Sequence, residues 1–546
     1  MRLCNAKTRN ETGFDHVLRS LRLLTPFGKK ALKEYKPFAP GQEEELEREL
    51  FLVEQARQML LTQSSHTDAL VEVCKEMKDN SFTIERSGKD VLSVVELFEI
   101  KSLLLQLEKI RESLGAMDME LPPEFLPEDA TSLLDALDPT GERINTFYIY
   151  DAFSEILAEQ RKSKRELEVA IRRQQKETKG RLEAQYGISM TPAFELMVSK
   201  ADRGALERAM GIPELVLQDE DYMTASFKLR KTPEIYELRK RLEVLNDAIE
   251  GEELRIREEL SLQVRDHKGI LRQSCARVGR LDLNMAKAHY ALSHQCVKPE
   301  ISREHVVELT EGRHLMVEEI LQGKGKAFCP ITIRLQDGVA CITGANMGGK
   351  TVSLKMTGLC ALLAQYGFFV PCREARIGLS SYVHILVGDS QNVQRGLSSF
   401  GSEMEELKDI LDQSKAKTLL LIDEIASGTN PLEGMALTKA LVDYLSERPF
   451  ISLVTTHFDN VATGKVKNLQ ARGLADADFD KLVREIRYAN RRERIEIIGR
   501  YMDYRLYEVE KNQEIPKEAL NIARMLGIQE EILERAKNII EGKDEQ

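Results

Sequence analysis

At 546 residues and 62.1 kDa, with 31% charged and 42% hydrophobic residues, the chain is long enough for several domains and polar enough to be soluble. No apolar stretch approaches the roughly 20 residues of a membrane span, and the N-terminus lacks a signal-peptide apolar region, so the expected location is cytoplasmic. A net charge of −11, a pI near 5.6 and the lack of tryptophan argue against a surface broadly adapted to nucleic acid, local basic grooves aside, while eight cysteines without a C-x-x-C pair argue against a disulfide frame or zinc site.

Residues 1–118 read as mostly helical. Apolar positions at Val17, Leu18, Leu21, Leu23 and Leu24 predict a helix over 15–24, and Thr25-Pro26-Phe27-Gly28 reads as a break. A long charged helix is expected over 43–61. The span 90–114, with Val91, Val94, Val95, Phe98, Leu103, Leu104, Leu107 and Ile110, predicts a core helix of a bundle. Residues 119–142 carry Pro122, Pro123, Pro127 and Pro139 and read as a break between helices.

Residues 151–186 form a charged helical run with sparse apolar positions at Ile156, Leu167, Ile171 and Leu182. Pro233 opens a second one. There Ile235, Leu238, Leu242, Leu245 and Ile249 recur three and four residues apart, with Ile256 continuing the seam. Two long polar helices around some 45 mixed residues suggest an antiparallel coiled-coil arm with a small domain at its tip. The alternative is two ordinary bundle helices; charge all round favours the arm. From Lys200 to Lys231 the tip carries six basic and six acidic residues. A tip that gripped duplex phosphates should be clearly positive.

Residues 265–300 return as helix, with Leu281, Leu283, Ala286, Ala288 and Ala291 as expected buried positions. Next, Val339 to Ile342 reads as a strand that runs into a loop with Gly344, Gly349, Lys350 and Thr351 at the fixed positions of G-x-x-x-x-G-K-S/T. Glycines let backbone N–H groups wrap phosphate oxygens at close range. Lys350 then reaches the β- and γ-phosphates, the Thr351 hydroxyl ligates Mg²⁺, and the following helix aims its positive end at the anion. The apolar run Thr418 to Ile422 reads as a buried parallel strand ending in Asp423 and Glu424. Asp423 suits Mg²⁺; Glu424 suits a base for the attacking water. A second such strand, Ile451 to Thr456, ends in His457, a γ-phosphate sensor in this context. Together these residues predict an ATPase that uses ATP and Mg²⁺. The highly charged segment 463–502 carries few strand signals; 503–511 alternates like a strand, and helices are expected over 516–526 and 530–540, with Gly527 as a stop.

Thr343-Gly344-Ala345-Asn346-Met347-Gly348-Gly349-Lys350-Thr351 resembles the phosphate loop of MutS-type ATPases. So do Gln365 to Cys372, Leu397 to Met404, Asp423 to Gly434, Thr455 to Phe458, Gly312-Arg313-His314 and the final helices from Ala519 to Ile540. The resemblance implies an α+β multidomain chain, with helical lever and coiled-coil clamp domains before an ABC-type P-loop ATPase. Its layout would be a lever (1–150), an arm with a clamp-like tip (151–265), a returning lever (266–304), the ATPase (305–462), a charged insertion (463–502) and a C-terminal strand with dimerisation helices (503–546). It implies a homodimer in which Ser398 and Ser399 contact the nucleotide of the partner copy. It also implies nucleotide contacts by Ala345, Asn346, Met347, Gly348 and Val352, and adenine stacking on Phe328, for which plain core packing is the alternative.

Ala345 stands where the family usually has proline, which should loosen the loop slightly. The family's mismatch-reading domain and nuclease-type domain have no counterpart in this sequence. The family's partner is mismatched or branched DNA. The neutral tip and acidic balance favour a protein client instead, and the charged segment 463–502 with Met502-Asp503-Tyr504-Arg505-Leu506 resembles the MutS-like ATPase that accompanies adenosylcobalamin-dependent aminomutases such as lysine 5,6-aminomutase. That ATPase is implied to act as a reactivase of the enzyme.

Overall fold

The computed structural model describes residues 3–344, 349–388, 399–458, 461–474, 478–486, 494, 497, 500–509 and 518–540. They form mixed helix and sheet, in two compact units: residues 76–115 with 126–277, and residues 1–75 with 116–125 and 278–546.

In the first unit the helix Val94–Gly115 buries Leu97, Ile100, Leu103, Leu104, Leu107 and Ile110. The stretch read as a break over 119–142 instead contains a helix, Thr131–Leu137, with Leu133, Leu134 and Leu137 buried. It fits between Pro127 and Pro139, which mark its limits and do not forbid it. The two long helices are Glu155–Tyr186 and Pro233–Asp266. The Ser154 hydroxyl caps the first by accepting from Leu157 N–H, and the left-handed Gly187 (φ +62°) ends it. Thr232 caps the second, with Pro233 in its first turn. They pack on each other: Ser154 Oγ donates to Glu252 at 2.6 Å, and Arg161 reaches Glu253 at 2.7 Å. Ile235, Ile249 and Ile256 are buried in the seam, Leu238, Leu242 and Leu245 half-buried. In the first helix Leu157 is buried, whereas Ile156, expected inside, is exposed: one step along a helix turns a side chain by about 100°.

Between these helices lies a three-stranded antiparallel sheet of β1 (Glu195–Ser199), β2 (Leu215–Glu220) and β3 (Thr224–Leu229), in the order β1-β3-β2. Leu182, Met190, Leu196, Val198, Ala209 and Phe227 make its small core. Tyr222 and Met223, on the β2–β3 turn, are 96% and 69% exposed.

The second unit holds two sheets. β4 (Glu300–Ser302), β5 (Val306–Gly312), β6 (Ile331–Gln336) and β8 (Glu374–Gly378) form one, in the order β4-β8-β5-β6. The other joins β7 (Gly338–Thr343), β9 (Tyr382–Val387), β10 (Thr418–Asp423), β11 (Phe450–Thr455), β12 (Lys467–Gly473) and β13 (Asp503–Glu508), in the order β13-β12-β7-β11-β10-β9. All of its pairings are parallel except β12 with β13. Every residue of β10 and β11 is buried, as expected of parallel strands covered on both faces. The helices Lys350–Gln365, Ser399–Gln413 and Pro431–Ser446 follow β7, precede β10 and follow β10.

Two sequence expectations are corrected here. Lys467–Gly473, in the segment read as a charged insertion with few strand signals, form β12, which pairs directly with β7 of the ATPase sheet. Only Leu469, Gln470 and Gly473 of that strand are buried, so it lacks the apolar run that marks its neighbours. The break at 25–28 is the start of a helix, Pro26–Glu34. Thr25 caps it by accepting from Gly28 N–H at 2.8 Å, and proline is at home in a first turn. The N-terminal segment also reaches the edge of the larger sheet, where Leu3 O accepts from Val383 N–H of β9 at 2.8 Å.

Candidate functional site

The parallel register sets the site. Thr455 of β11 stands opposite Asp423 of β10 on one side and Ile342 of β7 on the other. The C-terminal ends of three adjacent strands therefore reach one level, where open α/β sheets collect their ligands. β7 runs into Gly344 (φ +111°), and Gly349 (φ +75°) is the residue before the helix Lys350–Gln365. Gly349 is constrained twice, since a Cβ there would also lie 3.2 Å from the Tyr504 ring.

Thr351 Oγ1 donates to Asp423 Oδ2 at 2.8 Å, and Thr455 Oγ1 donates to Asp423 Oδ1 at 2.6 Å. Both carboxylate oxygens are thus fixed in direction, at a helix N-terminus. Lys350, with a side chain 3% exposed, lies 2.9 Å from Glu424 Oε1 and donates to Gly344 O at 2.9 Å. Thr456 O is 3.5 Å from the same ammonium. Glu424 N–H donates to Thr455 O at 3.1 Å and to Thr455 Oγ1 at 3.0 Å. Glu424 and Ala426 hold positive φ values of +48° and +60°, a conformation that costs a non-glycine residue about 1 kcal/mol or more and persists only where its surroundings enforce it.

The structure thus brings Lys350, Thr351, Asp423 and Glu424 together. Val352 follows in the first turn of the same helix and is half-buried. His457 is exposed and packs its ring on Phe458 at 4.2 Å. Phe328 is half-buried in the loop before β6. Ala345, Asn346, Met347, Gly348 and Ser398 lie outside the described residues, and Ser399 begins the helix Ser399–Gln413. Three contributors were not read from the sequence: Thr455, Tyr504 and Glu403, whose carboxylate accepts from Ala426 N–H at 3.1 Å. A threonine at the end of an apolar strand was a usable signal for the first. Glu403 lies in the stretch Leu397 to Met404 that carried the resemblance, which gave its carboxylate no role, and Tyr504 comes from a distant segment and gave no signal.

The donor set at Asp423 and Thr351 is all hard oxygen, which fits a magnesium ion and not a soft metal. The buried cation Lys350 and the helix N-terminus beside it suit an anion.

Residues 340–542 match the family model described as MutS domain V. The chain is similar to the DNA mismatch repair protein MutS of Salinibacter ruber, 29% identical over 382 residues that cover 66% of this chain and 41% of the relative. It is similar to Endonuclease MutS2 of Caldanaerobacter subterraneus subsp. tengcongensis, at 32% over 294 residues covering 53% and 34%. A further Endonuclease MutS2, from Fusobacterium nucleatum, is 36% identical over 184 residues covering 33% and 23%. The chain thus spans well under half the length of these relatives.

Proposed function

The chain carries a MutS domain V and belongs through it to the MutS family of ATPases; from that premise we propose that it hydrolyses ATP to ADP and phosphate as a homodimer and turns that cycle into clamp motion on a partner. The observation that carries the reading is the cluster of Lys350, Thr351, Asp423 and Glu424 at the ends of β7 and β10.

In this reading the glycine loop from Gly344 to Gly349, with Ala345, Asn346, Met347 and Gly348, holds the phosphates through backbone N–H groups. Thr351 and Asp423 hold Mg²⁺, which when bound neutralises charge on the phosphate oxygens. Glu424 orients the attacking water and takes its proton. Lys350 stabilises charge on the transferring phosphoryl group, and His457 senses it. Phe328 stacks the adenine, and Ser398 and Ser399 complete the site of the partner copy. Residues 1–150 and 266–304 serve as the lever, 151–265 as the arm and 503–546 in dimerisation, in a cytoplasmic protein. Steady-state hydrolysis of Mg-ATP by the wild type and by Glu424→Gln tests the chemistry. A near-normal rate in the variant overturns the role given to Glu424.

The relatives are named for DNA mismatch repair and for endonuclease activity, which makes mismatched or branched DNA the first partner. The second reading is a protein client, an adenosylcobalamin-dependent aminomutase that the ATPase reactivates. One observation favours it: the turn at the end of the β2–β3 hairpin exposes Tyr222 and Met223, side chains that suit a protein surface, and the three carboxylates before them are met by Lys200, 3.1 Å from Glu220, so the tip offers phosphates no net positive charge. Four-way-junction binding at two salt concentrations separates the two. Measurable binding that falls steeply with salt supports DNA; its absence supports the client.

A further inference from the structure

We infer that Glu403 is a positioning residue for hydrolysis: its carboxylate, presented by the helix Ser399–Gln413, fixes the strained turn that aims Glu424. The inference rests on the ATPase reading above and goes beyond the residues named there.

The turn after β10 is anchored at several points. Glu424 N–H is bound by Thr455 O and Oγ1. Ile425 is buried, and its carbonyl is 3.4 Å from the Thr438 hydroxyl of the helix Pro431–Ser446. Ala426 O lies against Gly434, where a Cβ would approach it to 2.8 Å. Glu403 Oε2 accepts from Ala426 N–H at 3.1 Å. Glu424 and Ala426 both hold left-handed backbone, so neither direction is locally preferred and the anchors decide where Glu424 points.

Glu403 is an expensive anchor for one backbone donor. It is half-buried, and burial, with Glu406 adding to it, raises its carboxyl above the usual range. Glu406, one turn on along the same helix, reaches Lys7 at 2.7 Å, whereas among the described residues no cation lies within ion-pair distance of Glu403. A half-buried carboxylate spent on one backbone donor of the turn that carries the base fits orientation better than stability.

The test uses the full chain with saturating Mg-ATP. Glu403→Asp keeps the charge and withdraws the acceptor by one methylene; Glu403→Ala removes it; Glu403→Gln keeps an acceptor oxygen in place. The expected result is a fall in kcat of about tenfold or more in the first two, as for loss of a hydrogen bond to a charged group. KM and fluorescent-nucleotide affinity should stay within about twofold, and Glu403→Gln should restore most of kcat. Glu406→Gln, on the same helix, should leave kcat unchanged. If the wild type turns over ATP while Glu403→Asp and any folded Glu403→Ala match it, this inference falls and the ATPase reading stands. A wild type without ATPase activity removes the reading beneath it.

Discussion

Asp423 spends both its oxygens on hydroxyls, one from Thr351 and one from Thr455. Asp423→Ala should therefore abolish magnesium-dependent hydrolysis, and Thr351→Ala should raise the Mg²⁺ concentration needed for half-maximal rate. A magnesium titration of ATPase activity checks both. Glu424→Gln should lower kcat by about a hundredfold or more, in the range for a general base, with nucleotide binding retained. Lys350 and Thr351, and likewise Asp423 and Glu424, were legible because their chemistry is local: a strand, a glycine loop and a helix must be contiguous, and an apolar strand must end in its carboxylates, so the residues fall at fixed spacing. Glu403 and Tyr504 were illegible for the opposite reason. Each meets the site only through folding, and neither stands in a motif whose spacing assigns it a contact there.

At the scale of elements, His314 ties acid stability to one helix. It caps the helix Leu315–Gly323, accepting from Val317 N–H at 3.4 Å. Burial, with the Lys355 ammonium adding to it, pushes the imidazole down to about 4 from an ordinary value of 6.5. Above that ordinary value both folded and unfolded chains hold it neutral. As pH falls from 6.5 to about 4, the unfolded chain takes up a proton that the folded chain refuses, so stability is lost across that window. The loss should approach about 3 kcal/mol, and unfolding free energies at neutral and acid pH should show it shrink in His314→Gln. Helix Lys268–Ser293 offers a second check: a Cβ on Gly279 would meet Phe27 O at 2.7 Å. Gly279→Ala should lower the melting temperature, despite alanine's better helix propensity. The long helices were readable because hydrophobic spacing survives in a charged background. β12 was not, because a strand only partly buried, among lysine, asparagine and arginine, shows no apolar run.

At the scale of the whole molecule, the dimer reading predicts that Glu424→Gln with Mg-ATP elutes at twice the 62.1 kDa chain mass in light scattering; a species of single mass would refute nucleotide-driven pairing. Replacing Tyr222 and Met223 with serine should leave basal ATPase activity intact and weaken only capture of the partner, measured with junction DNA and with purified aminomutase in parallel. The mixed helix and sheet organisation was legible from alternating patterns, whereas the partner was not, because a tip of zero net charge announces no ligand. The pairing of Leu3 with β9 carries a consequence for biosynthesis. Asn5 and its neighbour His384 are 379 residues apart, so at 5–20 residues per second the first helices leave the ribosome roughly 20 to 80 s before their docking strand exists. During that interval Phe14 and Val17, buried in the finished protein, are bare, and nascent chains stalled before β9 should be the species that holdase chaperones retain.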